Sequence, residues 1–591
     1  MHLITSQNSD ASTPASEPVL KHLVLGSMPI PSDPATVLAA GPWCFAGRED
    51  FFPDWEDHYA LAPEPLTDRT LQKKAIGQAL SLASDMIPRL ARQLQPDHDL
   101  PEDYWELLLS PYCINVARIL VEIWYRVQAL VDTHGKEALQ VELLPEECTF
   151  HMGTDADVIL HGCLNPACIH WIFSCLLRPL CPQAWTVTEG ACVSEEYPQH
   201  RPEGTGARLK DALRRMLLRL PFPPLKGMGL VRALRYSLAL RHASRSEDHS
   251  RPLREFYASS VTGAILNLPV DPLPLFMNLL PQSLRDLRHP EGRVTPMKEP
   301  RVRAASILLY EDASYRQSLA LWRARGGRLV CVQHGGNYGM MQHISAMELV
   351  EYTQHAFITW GWTEQESALG PVCGKANFVP LPAPQLCRLH NCWRGGNRTL
   401  IFVGTEMPTI GYQLDSHPTP LQNVQYRDDK QWFVEALGKR RQECTLYRPY
   451  FPVPGTLDDA PWVLTRFSRV HLCSGPLTPQ ILNCHLLVLD HHGTTLLEAM
   501  AANVPLVCYW DPSCWPVNAA FQRLLLQLAQ VGIWHSSAEA AAMQVDAIWD
   551  NPAAWWQSDP VQKARQAFLD AFAHSSRRHC DALWTGMLRR L

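Results

Sequence analysis

Between residues 301 and 550 short apolar runs alternate with amphipathic stretches. SILLY (306–310), LVCVQ (329–333), AFITW (356–360) and NFVPL (377–381) form a first set of runs. TLIFVG (399–404), TLYRP (445–449), RVHLC (469–473), LLVLD (486–490) and PLVCY (505–509) form a second. Runs of this length, punctuated by Gly and Pro, predict strands buried on both faces of parallel sheets. SYRQSLALWRAR, Gln431–Arg441 and Thr494–Ala502 supply the intervening helices. The expected fold class is α/β, with two doubly wound, Rossmann-like domains. Upstream the period changes. Tyr104, Trp105, Leu108, Val116, Leu120, Ile123 and Trp124 recur at helical spacing within Pro101–Val131. That pattern predicts a largely helical N-terminal extension.

Boundaries follow from composition. Residues 1–20 read as a flexible tail without a basic-then-apolar leader. Residues 21–200 are expected to be mainly helical, and 201–300 a basic helical or linker insertion. The first α/β core spans 301–385, the second α/β domain 399–550, and helices close the chain over 551–591. The Pro- and Gly-rich segment 381–398 joins the two α/β domains.

Composition narrows the class. Apolar residues make up 46% and charged residues 19%, as in a globular protein, and the net charge of −6 gives no reason to expect a nucleic-acid partner. Eighteen cysteines without a CxxC pair, many inside apolar runs, read as buried free thiols in a reducing compartment. The apolar segment Ala167–Leu177 is too short to cross a bilayer. The expected location is cytoplasmic, at most peripheral at the inner face of the cytoplasmic membrane. Residues 201–254 hold 13 Lys/Arg against 4 Asp/Glu. Ala207–Leu220 there places Leu209, Leu213, Leu217 and Leu220 on one side of a helix. That helix is either a solvated one packed on the body or a surface for anionic headgroups or a lipid-linked acceptor.

Two motifs fall at strand ends, where α/β domains bind ligands. In DHHGTTLLE, Asp490 closes a strand and Gly493 opens a close approach. Thr494 and Thr495 bring hydroxyls to a helix N-terminus, a combination suited to phosphate. Glu498, a turn later, is placed to accept from a ribose, and His492 to contact phosphate or base. The simpler alternative is a capping box. Arg448, at another strand end, is placed to clamp a pyrophosphate. In QHGGNYG, His334 follows a buried strand as a general base would, with Gly335, Gly336 and Asn337 forming the bare cleft loop that an acceptor approaches; the alternative is a structural histidine with glycines that serve only a turn. Glu311 and Asp312 are expected to close the neighbouring strand as catalytic carboxylates, one of them orienting His334 or itself acting as base, or Asp312 only to cap a helix. His161, Cys163, Cys168 and His170 match no trusted zinc spacing, and no metal site is expected. There is no GxxxxGK[ST] loop and no GxSxG elbow.

The chain resembles the sugar-transferase family encoded in bacterial O-antigen and surface-polysaccharide gene clusters. The resemblance rests on GPWC (41–44), DYW (103–105), SPYC (110–113), LYEDASY (309–315), QHGGNYG (333–339), LYRPYF (446–451), LDHHGTTLLEAMAANVPLV (489–507), VGIWHSSAEAA (531–541) and WW (555–556). It implies a GT-B-like enzyme with the donor in the 399–550 domain, the acceptor on the 21–200 and 301–385 side, and catalysis between them. QHGG is similar to a motif of CDP-glycerol polymerases in which the histidine is the base, here His334. DxxGTTxxE is similar to donor motifs of those enzymes and of 3-deoxy-octulosonate transferases.

The expected function is therefore metal-independent, inverting transfer of a sugar from a nucleotide-activated donor to a glycan or lipid-linked glycan of a surface polysaccharide. No cofactor beyond that substrate is expected. The alternatives are a CDP-polyol phosphotransferase, a GT-B-like nucleotide-sugar epimerase and a non-catalytic scaffold of polysaccharide assembly.

Overall fold

The computed structural model describes residues 21–591 apart from 27–28, 49–50, 53, 97–99, 198–204, 226, 244–265, 291–293, 299–300, 372–376, 452 and 577. The tail expected over 1–20 and, within the basic stretch, residues 201–204, 226 and 244–254 lie outside the described residues. The expected α/β class is found, built on parallel sheets with helices packed against them.

Residues 21–200 are rich in helix but also hold a sheet that the pattern above does not predict. Its strands are Lys21–Val24, Val37–Ala39, Ala60–Leu61, Leu139–Leu143 and Thr186–Glu189, all parallel. Their order across the sheet is third, second, first, fourth, fifth. These strands have two to five residues and Thr186–Glu189 is exposed throughout, so only the short runs Leu23–Leu25 and Val37–Ala40 mark them. GPWC locks one end of this sheet. Trp43 Nε1 donates to the Leu25 carbonyl at 2.8 Å, and Cys44 Sγ to the Val24 carbonyl at 3.3 Å. The long helices Arg69–Leu94 and Glu102–His134 pack on each other beside it. Glu102–His134 is long and apolar enough to cross a membrane, yet its apolar window is buried in the protein.

The second sheet consists of Val302–Ala305, Arg328–Val332, Ala356–Thr359 and Phe378–Pro380, parallel and laid side by side in chain order. Both of its faces are covered. Leu329 and Cys331 join the main core, and Val330 and Val332 face helices 230–241 and 580–588. Its first strand lies earlier than expected. SILLY is not a strand, because the pairing of Val302–Ala305 with Arg328–Cys331 ends at Ala305. The next residues turn into the short helix Leu308–Glu311, which buries Leu309.

The third sheet contains Leu400–Val403, Thr445–Arg448, His471–Leu472, Leu486–Leu489, Leu506–Tyr509 and Trp534–His535, all parallel. Their order is third, second, first, fourth, fifth, sixth. The order reverses between Leu400–Val403 and Leu486–Leu489, which opens a crevice at their carboxyl ends. The chain then crosses back to the second sheet. Trp584 Nε1 donates to the Pro382 carbonyl at 2.8 Å, and the His574 amide to the Trp360 carbonyl at 2.8 Å.

Candidate functional site

A cavity of about 680 Å³ lies in that crevice, a size suited to a small organic ligand. Gly404 and Thr405 follow the first strand into it, Arg448 ends the second, and His491, Gly493, Thr494 and Thr495 follow the fourth. Asn337 reaches it from the second sheet. The two glycine-rich loops therefore meet at one site.

Their contact is intimate. The Gly336 amide donates to Thr494 Oγ1 at 2.8 Å. A Cβ on Gly336 would come within 2.5 Å of the Thr494 amide nitrogen, whereas one on Gly335 would sit 3.4 Å from Thr494 Oγ1. The capping-box alternative is not realised. Helix Thr494–Ala502 is capped by Gly493 without a side-chain bond, and the Thr494 hydroxyl serves the neighbouring loop instead. Thr494 and Thr495 begin that helix at the cavity wall, where the positive end of the helix dipole favours an anion. Arg448 Nη1 donates to the carbonyls of Cys473 (3.0 Å) and Gly475 (2.9 Å), which fixes its guanidinium at the cavity wall. Among the described residues no carboxylate forms an ion pair with it.

Other expected donor residues act from behind the wall. Asp490 is fully buried. Its Oδ1 lies 2.9 Å from His491 Nδ1, and its Oδ2 lies 3.5 Å from Lys430 Nζ. Lys430, itself fully buried, is also 2.5 Å from Asp459 Oδ2. Burial alone works against its charge, but the carboxylates of Asp459 and Asp490 outweigh it and hold Lys430 above its ordinary value. Asp490 thus orients His491, which does line the cavity. His492 does not line it. It packs edge-on against Trp510, Trp515 and Phe521, with Nδ1 3.1 Å from Asn337 Oδ1. Burial, with smaller pushes from His491 and His417, takes it down to about 3. His492 is therefore a neutral clamp between the two loops rather than a phosphate contact. Asn337 adopts a left-handed φ of 71°, which Asn tolerates better than most residues. Glu498 is half-buried and away from the cavity lining.

His334 has a carboxylate partner, but not the expected one. Glu311 is exposed on its short helix. Asp312 caps helix Ala313–Ala324, accepting from the Tyr315 amide at 2.9 Å, and lies 3.6 Å from Arg214. The early end of the strand at Ala305 takes both away from the strand end. The partner is the fully buried Glu351, with Oε1 3.2 Å from His334 Nε2. The Tyr338 hydroxyl is 2.5 Å from the same nitrogen and 3.3 Å from both Glu351 oxygens. Burial first, and then the Glu351 charge, hold Tyr338 well above the ordinary phenol value, so its O–H stays a donor. Gln333 braces the loop, accepting from the Trp360 amide and Trp362 Nε1 and donating to the Gly335 carbonyl.

Glu406 was not singled out from the sequence. It lines both the main cavity and an adjoining one of about 460 Å³, which share Thr405, Tyr450 and Phe451. The Tyr412 hydroxyl donates to its Oε1 at 3.3 Å. Burial pushes the Glu406 carboxyl up to about 7, and the Tyr412 bond only partly opposes this. The residues of zinc-ligand type at 161–170 have other partners. His161 stacks on Tyr197, and His170 Nε2 donates to the Glu142 carbonyl. Among the described residues no three His, Cys, Asp or Glu side chains are placed to hold a metal.

Residues 21–588 match the family described as LIC12162 family transferase. A mutant of the O-GlcNAc transferase of Thermobaculum terrenum is similar in structure at 13% identity and a TM-score of 0.28, over 86% of this chain and 82% of that one. No protein of curated function matches the chain.

Proposed function

The chain belongs to the LIC12162 family of transferases, and we propose that the group it transfers is a sugar carried by a nucleotide. The observation behind this is the crevice at the strand-order reversal of the third sheet. Its wall combines the Thr494–Thr495 helix start with Arg448 and is completed by Asn337 from the facing sheet. In this reading the threonine hydroxyls, helix amides and guanidinium hold the donor diphosphate and neutralise the leaving group without a metal. In the required tautomer Nε2–H of His334 donates toward the Tyr338 oxygen and Glu351, the Tyr338 O–H donates to Glu351, and Nδ1 is left to take the proton of an acceptor hydroxyl. A single displacement then inverts the anomeric carbon. The acceptor class is a glycan or lipid-linked glycan of a surface polysaccharide, and the reaction belongs on the cytoplasmic side of the membrane. A second assignment of the base has its own support, since Glu406 lines the cavity and His334 does not.

A melting-temperature screen with CMP, CDP, GDP and UDP tests the donor site, because a ligand of the native state raises the transition. The expected result is a rise with one of the diphosphates, which then selects the activated sugars for transfer assays. An unchanged transition with all four removes the donor-site reading. A product that retains phosphate, or donor interconversion without acceptor, replaces glycosyl transfer by polyol-phosphate transfer or epimerisation.

A further inference from the structure

Helix Leu230–Arg241 is apolar on two opposite sides. Ala233, Tyr236 and Leu240 are buried. Tyr236 stacks on Trp584 with centroids 5.2 Å apart, and its hydroxyl donates to Asp581 at 2.9 Å. The outer side carries Leu230, Val231, Leu234 and Leu238, with Val231 75% and Leu238 56% exposed. A surface helix normally turns its polar stripe outward. Helix Thr205–Leu218 adds exposed Leu213 and Met216. The two helices flank the same strand, Val302–Ala305. Arg303 Nη2 donates to the Leu218 carbonyl at 3.0 Å, the Ala304 amide to the Pro221 carbonyl at 2.7 Å, and helix Leu230–Arg241 packs on that strand. Six exposed large apolar side chains thus fall within residues 213–238, and clustering of this kind marks an interaction surface.

We propose that this face docks on an anionic lipid bilayer. Residues 205–243 hold nine Lys/Arg and one Asp/Glu, in a chain of net charge −6. A second copy would bring two cationic surfaces together, which costs energy, whereas anionic headgroups complement the face. Arg232 and Arg235 are held by Asp581 at 2.6 and 3.2 Å. Lys210, Arg219 and Arg241 are exposed around the apolar side chains. Leucines set into the headgroup boundary, with basic side chains reaching phosphate, are the elements of an in-plane amphipathic anchor.

The test is sedimentation of the full chain with vesicles of phosphatidylcholine, alone or with phosphatidylglycerol added. The bound fraction is expected to rise several-fold with the anionic lipid and to fall as salt is raised. The double variant Leu234→Ser, Leu238→Ser changes only exposed positions. It is expected to bind several-fold less while keeping the unmodified melting temperature and nucleotide response. Equal sedimentation with both lipids, or undiminished binding by the double variant, overturns the proposal. So does self-association of the unmodified chain without lipid that the double variant loses, since the face would then belong to a second copy. The nucleotide response is read separately, so failure here leaves the transfer reading standing.

Discussion

The Gly336 amide donates a 2.8 Å hydrogen bond to the Thr494 hydroxyl, joining the loop after one sheet to the first turn of a helix on another. Gly336→Ala is expected to break this seat. The added methyl meets backbone at 2.5 Å, with no flexible side chain to yield, whereas Gly335→Ala meets only a hydroxyl at 3.4 Å. Displacements near a reacting centre are costly, so Gly336→Ala should lower transfer by about a hundredfold and Gly335→Ala by much less. Steady-state kinetics of the two variants, with melting curves to confirm folding, checks the contrast.

Arg448 tests the diphosphate assignment. Its Nη1 is held by two carbonyls, so its position at the cavity wall does not depend on a ligand. Losing a charge-assisted bond to a phosphate should cost about 2 kcal/mol, or roughly thirtyfold in nucleotide affinity, for Arg448→Met. Arg448→Lys keeps the charge without the fork and should fall between. Calorimetric titration with the nucleotide chosen by the screen measures both. Wild-type affinity in Arg448→Met would place the diphosphate elsewhere.

Lys430 shows a site supported from below. Its ammonium lies between Asp459 and Asp490, and all three groups are buried. Lys430→Met removes the cation and leaves two buried carboxylates with only the Tyr447 hydroxyl on Asp459 and the His491 ring on Asp490. A buried pair broken on one side loses about 3–5 kcal/mol, so a large drop in denaturation midpoint is expected. Lys430→Met with Asp459→Asn should recover part of it, which urea unfolding can read.

What was legible in the sequence was local. His334 and Thr494 stood out because each follows an apolar run and sits beside glycines, and the loops that follow these two strands meet at one cleft, through Asn337 and Thr494 rather than through His334. Glu351 was not legible. It follows helix Ser345–Val350 and is brought back to His334 by tertiary packing. Glu311 and Asp312 were misplaced because SILLY is more apolar than VRAA, yet the ladder with Arg328–Cys331 selects VRAA. The same weakness hid the first sheet, whose strands are short and, at Thr186–Glu189, exposed. Glu406 had no local signal, since its character comes from burial between two cavities.

His492 sets an acid limit on the cleft. Its folded value, about 3, lies below the ordinary 6.5. The unfolded chain therefore binds the proton first. The stability His492 contributes is complete above pH 6.5 and is lost as pH falls from 6.5 toward 3. Within that window the slope is about 1.4 kcal/mol per pH unit. His492→Gln cannot titrate. Its melting temperature should fall less than that of the unmodified protein between pH 7 and 5. Parallel curves over this range would mean that His492 is not held neutral.

His334 and Glu406 make opposite claims on the base, and pH separates them. Glu406 has a folded value of about 7, raised from 4.5 by burial. The protonated form is favoured in the folded chain, so its presence costs stability progressively as pH rises from 4.5 to 7, and the cost is constant above. Glu406→Gln should therefore gain stability over the unmodified protein across that window and hold the gain above pH 7. Rates answer a different question. A general base contributes about a hundredfold or more. With His334 as base, His334→Gln loses that factor and Glu406→Gln keeps the rate within about tenfold, along with its ascending pH limb. Glu351→Gln should lower the rate in the same direction as His334→Gln, because the imidazole loses the buried carboxylate that holds it in place. If Glu406→Gln instead abolishes the limb while His334→Gln retains it, the proton goes to Glu406, and His334 serves only to hold the loop that seats on Thr494.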